Sequence, residues 1–282
     1  MADAIIGASQ TAATKMALIT EMAQKELKAA AIFSNYFNDV SNYARKGVKS
    51  ISFPKLGSFQ VGERGSAQTL DAQSISSSVD TLDLNVPAYI KWIVDPNDEI
   101  QSTLDWELET LSRAASAHGR YFDQKLKEVV IAEAHEVAAQ GGIDRDKILE
   151  MREYLKKNEA NMNEVTLFVA ASEMTNLLKI EEFSKADVYG SPVTQTGLLG
   201  RVFGIPVVET NALEDGEFFM AEKGAISYGF QRNPAVGEEP AIDFGVGCLK
   251  KAMDCLYGMK AVQIGMGQAL PNKSPLMIKF KA

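Results

Sequence analysis

The sequence predicts an α+β protein built for contact with other chains, and three observations lead there. A long polar excursion, residues 48–94, is bracketed by alternating strand-like runs. An amphipathic helix of unusual length follows it directly. Beyond residue 143 the pattern changes to short strands interleaved with short helices, the texture of a compact α+β or α/β unit.

The elements can be justified in order. The first dozen residues are small and polar, consistent with a mobile arm. Thr14 to Ala31 reads as a short helix, with Leu18, Met22 and Leu27 roughly on one face and Lys15, Glu21, Lys25, Glu26 and Lys28 elsewhere. In the excursion, Ile51 and Phe53 share one face, and Leu82, Leu84 and Val86 repeat the alternation later. Between these ends lie Gly57, Gly62, Gly65 and the serines 74, 76, 77 and 78, too few apolar residues for a core. An isolated two-stranded hairpin is marginal in water, so the expected cover for this one is another molecule.

For the long helix, Asp95 suits the N-cap, Pro96 the first helical position, and Asp98 and Glu99 the acid-favouring first turn. Ile100, Leu104, Leu108, Leu111, Ala115, His118, Phe122, Leu126 and Val129 step by three or four along one stripe. Gly119 is the weak helix former near the centre, and Gly141-Gly142 ends the run. A helix of that span is a rod of roughly 60 Å. Its stripe has too few large aliphatic heptads for a coiled coil and suits a helix lying across a sheet.

Further on, Asp144 or Asp146 can cap a helix reaching about Lys157, with Ile148, Met151 and Leu155 inward. Val165–Val169 is a short apolar run, expected as a buried strand. A helix starting near Ser172 carries Met174, Leu177 and Leu178. Ile205–Val208 and Phe218–Met220 are strands separated by an Asp215-Gly216 turn. Ala241–Leu249, Met259–Ile264 and Leu276–Phe280 are expected to form a sheet on the long helix.

Composition bounds the function. The chain has 282 residues, 46% apolar and 23% charged, with a net charge of -8. No global basic field recruits nucleic acid. No run of about twenty apolar residues suggests a membrane span, and the N-terminus lacks a secretory pattern. Cys248 and Cys255 are the only cysteines, so no disulfide framework is expected.

Chemistry is sparse. His118 and His135 lie seventeen residues apart on the expected helix, hence on different faces at about 100° per residue. A shared metal is not expected; His118 reads as packed in the stripe and His135 as solvated. Neither cysteine has a zinc-ligand spacing, and a buried thiol is the simpler reading. The glycines 197, 200 and 204 lack the Lys-Ser/Thr of a phosphate loop and read as turns beside the strand at Ile205. Asp144 and Asp146 read as caps, and Glu181-Glu182 and Glu238-Glu239 as solvated loop charges. No Ser-His-Asp or Cys-His arrangement is convincing. No cofactor, metal or catalytic residue is expected, which argues against an enzyme.

Four stretches carry a resemblance: SISFPKLGSFQVGERGSAQTLDAQ, PAYIKWIVDPNDEIQSTLDWELETLSRAASAHGRYFD, TGLLGRVFGIPVVETNAL and GEFFMAEKGAISYGFQR. With the order of elements, they make nearly the whole chain resemble the major capsid proteins of tailed bacteriophages, a fold shared with encapsulins and the herpesvirus capsid floor. The resemblance implies an N-terminal arm at 1–47, an extended loop at 48–94, a peripheral domain with the spine helix at 95–142, an axial domain at 143–233 and peripheral C-terminal strands at 234–282. It implies pentamers and hexamers closing into an icosahedral shell around a double-stranded DNA genome, in a virion assembled in the host cytoplasm. Lys55, Glu63 and Arg64, in the extended loop, are expected to contact a neighbouring subunit. Some family members cross-link that loop through lysine; nothing near Lys55 identifies a partner, and no cross-link is expected. The implied partners are other copies of the chain, a portal, a separate scaffolding protein (or a segment removed beforehand), a decoration protein, and packaged DNA held without sequence readout. Lys15, Lys25, Lys28, Lys125 and Lys127 are the expected DNA-facing cations. A nanocompartment shell shares the fold and differs in content, cargo protein in place of DNA. A small-molecule enzyme would require a converging His/Cys/carboxylate pocket.

Overall fold

The computed structural model describes residues 8–56, 77–95, 106–138, 141–180, 200–241, 244, 248–261 and 274–281. The chain divides into two compact units: Met1–Lys49 with Leu84–Glu128 and Tyr228–Met259, and Ser50–Asp83 with Val129–Ser227 and Lys260–Ala282.

The first unit contains helix α1 (Ala8–Ala30), helix α2 (Trp106–Glu133, whose last turns pass into the second unit) and a four-stranded sheet. The sheet runs β1 (Asn38–Asp39), β10 (Ile226–Pro240), β11 (Leu249–Ala261), β4 (Val86–Val94). β4 and β11 are antiparallel, with Ile90 opposite Met253 and Ala88 opposite Cys255. Alternation decides which side is core: Met253, Cys255 and Tyr257 are buried on one face of β11. Met253 joins Ile19 and Ala23 of α1 and Leu111, Ala114 and Ala115 of α2 in one cluster, with Ile90, Trp92 and Val236 packed against it. Phe122 anchors a second, aromatic group, with ring centroids 5.2 Å from Tyr228, 5.1 Å from Phe230 and 5.2 Å from Tyr257. Helix and sheet therefore meet through one stripe of α2, as the periodicity predicts.

The second unit is organised on a six-stranded sheet. Its order is β5 (Ala134–Ala138), β12 (Ser274–Lys281), β9 (Glu217–Glu222), β6 (Val165–Val169), β8 (Ile205–Glu209), β7 (Arg201–Val202). All five residues of β6 are buried, which a strand inside a sheet and covered on both faces requires. Helix α3 (Arg145–Lys157) lies on β12 with Ile148, Met151 and Leu155 buried. Asp144 caps it, its side chain accepting from Lys147 N at 2.8 Å, as expected. Helix α4 (Ala171–Lys179) follows β6. Stacked rings brace the sheet, Phe168 on Phe219 at 4.7 Å and Phe218 on Phe280 at 5.3 Å. Of the three glycines, Gly204 does sit in a turn, where Phe203 and Gly204 both have positive φ between β7 and β8; Gly197 lies outside the described residues.

Several expectations need correction. The long helix does not reach residue 140. It ends at Glu133, and Ala134–Ala138 becomes β5, parallel to β12 with His135 opposite Ile278. Pairing with an edge of the sheet outweighs the helix propensity of an alanine-rich segment. Residues 96–105, where the first turns after the expected cap Asp95 were placed, lie outside the described residues. On α1 the buried face is Ile19, Ala23 and Leu27, spaced by four, while Leu18 and Met22 are exposed.

The strands after Pro234 do not form one sheet on the long helix. β11 belongs to the four-stranded sheet and β12 to the six-stranded one; Ala241, Phe244 and Cys248 are not in a strand, and the other residues between 241 and 248 lie outside the described residues. Glu238 and Glu239 are exposed, but on β10 rather than in a loop.

Candidate assembly surfaces

The extended loop begins as a two-stranded antiparallel stem, β2 (Ser50–Leu56) with β3 (Ser77–Asp83), pairing Ile51 with Leu82 and Phe53 with Asp80. Ile51 and Leu82 are buried within their own chain, so another molecule is not needed to cover the base of the stem. Lys260 fastens it further, donating to Asp80 Oδ1 at 2.6 Å and to Thr81 O at 3.0 Å. Lys55 is placed on β2. Its side chain lies outside the described residues, as do Glu63 and Arg64.

In the first unit, β4 is an edge strand among the described residues. An edge presents unpaired backbone donors and acceptors and is a template for another chain. Tyr89, Lys91 and Ile93 alternate along its outward side, and Tyr89 is 71% exposed. On its other side a groove of about 370 Å³ opens towards α2, lined by Ile90, Trp92, Val94, Thr110, Arg113 and Ala117, among others. The Trp92 indole N–H is buried there without a hydrogen-bond partner. On α1, the exposed Leu18 and Met22 are one turn apart and so share a face. The helical spacing put this pair on one face with Leu27, which is buried where they are exposed, and nothing in the sequence marks the groove, because its walls come from separate segments.

The structure brings together one pair that sequence could not connect: Cys255 Sγ lies 3.7 Å from His118 Nδ1. His118 Nε2 lies 3.3 Å from Met253 O. A carbonyl only accepts, so Nε2 carries the proton and Nδ1 is the bare nitrogen. Burial lowers the His118 pKa and pushes the Cys255 thiol up to about 11. A thiol in that state is a packed group rather than a nucleophile. Cys248 is also buried. His135 is not simply solvated; its ring stacks on Tyr154 at 4.4 Å. Among the described residues no group of three or more His, Cys, Asp or Glu is placed to hold a metal ion. Among them, too, no helix is long and apolar enough to cross a membrane.

The expected DNA-facing cations divide. Lys25 and Lys28 are exposed on α1. Lys125 is held by Glu128 at 2.7 Å. Lys127 is buried, which removes it from that role, because its position on the helix points inward beside Leu126. The Lys15 side chain lies outside the described residues.

Exposed apolar residues on α1 and the edge of β4 are surfaces suited to contact with other chains. A family model described as phage capsid protein matches residues 38–228, and the chain belongs to that family. It is a major capsid protein, a structural component of the virion shell. The fold matches that of solved capsids along nearly its whole length. For Mycobacterium phage Che8 the TM-score is 0.73 at 20% identity, covering 89% of this chain and 90% of the other. For the capsid structure of the cyanophage P-SCSP1u the values are 0.70, 12%, 89% and 88%. For a virus-like particle from Pyrococcus furiosus they are 0.62, 8%, 95% and 99%. A search of curated protein sequences finds no match.

Proposed function

We propose that this subunit assembles as pentamers and hexamers into a closed icosahedral shell around double-stranded DNA, in the host cytoplasm, without catalytic activity of its own. The observation that carries this reading is the family match across residues 38–228, joined to a capsid fold over most of the chain. The arm (1–47) and the extended loop (48–94) are the parts that reach neighbours, with Lys55, Glu63 and Arg64 making charge-assisted contacts. The peripheral domain (95–142 and 234–282) and the axial domain (143–233) form the shell wall. The apolar groove and free edge of β4 offer a neighbour both a hydrophobic seat and backbone hydrogen bonds. A portal, a scaffolding protein and a decoration protein complete the partners.

DNA is held without sequence readout. Exposed Lys25 and Lys28 support a few backbone contacts, and the net charge of -8 keeps overall attraction low.

Electron microscopy of the purified chain tests the reading directly. Closed shells with five-fold and six-fold centres are expected, and open sheets or discrete small oligomers would overturn it. Arg64→Glu should lower shell yield while leaving the circular dichroism of the subunit unchanged; normal yield would refute the contact at that residue. Isolated subunits should bind any duplex weakly and less well as salt rises.

A further inference from the structure

One side chain fastens the root of the N-terminal arm. Asp123, on α2, is 3% exposed. It accepts from Ile32 N at 2.8 Å on one oxygen and from Phe33 N at 3.2 Å on the other. These are the leading donors of the 3-10 turn Phe33–Asn35, whose own N-cap residue, Ile32, provides no side-chain acceptor. Immediately before the turn, Leu27, Ala30 and Ala31 press on Gly119 of α2, one turn from Asp123. The arm thus changes direction where a buried carboxyl holds two consecutive backbone N–H groups.

We propose that the Asp123 carboxyl is a proton-operated clasp that seats the arm root on α2 and loosens it as pH rises through neutrality. Every contact involved lies within one chain, so the device does not depend on how subunits meet. The physics is a competition. Burial disfavours the carboxylate, the two N–H donors favour it, and burial wins, pushing the group up to about 7. An undocked root would leave Asp123 in water, where an aspartate ionises near 3.9. The docked state therefore retains a proton that the undocked state gives up. Docking is strongest below the lower value and is lost as pH rises through the higher one.

Other titratable groups on the surrounding elements do not reproduce this. Tyr228 on β10 is raised far above neutrality by burial and donates to Ser34 O at 2.8 Å. Asp39 on β1 accepts from Ser41 N at 2.9 Å. Lys28 on α1, Tyr36 after the turn, and Arg120 and Lys127 on α2 are further charged or titratable side chains on these elements. His118 changes charge in the opposite sense, losing stability on acidification.

Amide hydrogen exchange of the full-length chain, corrected for the intrinsic pH dependence of exchange, tests the clasp. For peptides covering residues 31–37, the opening equilibrium should rise about 30-fold between pH 5.5 and 8.0. In Asp123→Asn it should change less than about 3-fold. The wild-type slope should be the same in 0.05 and 0.5 M salt, because a buried group is little screened. A flat wild type, an equal slope in the variant, a slope that collapses in high salt, or an equal slope in peptides from β6 would each overturn the proposal. The salt and β6 measurements use wild-type protein, so they decide the matter even if the variant fails to fold.

Discussion

Gly119 meets Ala30 across the α1–α2 crossing so closely that a Cβ on the glycine would lie 2.7 Å from Ala30 Cβ and 2.9 Å from Leu27 O. The glycine that looks like a weak point in a long helix is the position that lets the arm helix dock. Gly119→Ala should gain up to about 1 kcal/mol in helix propensity and lose about 1–3 kcal/mol to overpacking against backbone. Net destabilisation is therefore expected in urea unfolding. A variant more stable than wild type would mean the crossing yields easily.

Leu82 distinguishes a stem seated on its own chain from one that needs a neighbour. It is fully buried in the single subunit, so Leu82→Ala should cost about 2–4 kcal/mol in unassembled protein. If the unassembled variant unfolds like wild type and only shells are weakened, the stem takes its support from outside.

The Lys260–Asp80 pair should contribute less. Lys260 is partly exposed, and such pairs are worth about 0–1 kcal/mol. A double-mutant cycle of Lys260→Met and Asp80→Asn should give a small coupling that shrinks in high salt. A large, salt-independent coupling would contradict this.

His118 and Cys255 give a pH and a reactivity signature. The His118 pKa is lowered by burial, so its contribution to stability is complete above the ordinary histidine value near 6.5 and is lost as pH falls towards the folded one. His118→Gln should flatten the fall in the urea midpoint between pH 6.5 and 5. Cys255, with its thiol raised to about 11, should react with a thiol reagent at pH 8 only as fast as the protein opens. Rapid labelling of the native subunit would refute the packed reading.

Glu173 secures the turn after β5. It is buried and accepts from Ile143 N and from Asn176 Nδ2, while Lys147 donates to Gly141 O at 2.9 Å and Gly142 O at 2.6 Å. A Cβ at Gly142 would lie 2.6 Å from Asn176 Nδ2. Glu173→Ala leaves a buried N–H unsatisfied and should cost about 1–3 kcal/mol, read as a lower thermal midpoint. A loss below about 0.5 kcal/mol would show that the turn relaxes without the carboxylate.

By itself, the sequence determined what depends on neighbours along the chain. The stripe of α2 from Leu111 to Leu126, the Asp144 cap of α3, the buried run of β6 and the turn at Gly204 are all legible, because each follows from local periodicity or a single residue's backbone preference. The alternation at Ile51 and Leu82 marked a hairpin correctly. What covers its base was not legible, since the covering residues are distant in sequence.

Tertiary structure decided the rest. Ala134–Ala138 reads as helix until β12 offers an edge. The inward face of α1 is set by the narrow crossing at Gly119, so Leu18 and Met22 are left outside. Asp123 meets Ile32 from 91 positions away, and His118 meets Cys255 across 137. No spacing rule reaches that far, because such pairs are selected by packing and by the need to satisfy buried polar groups once the chain has closed on itself.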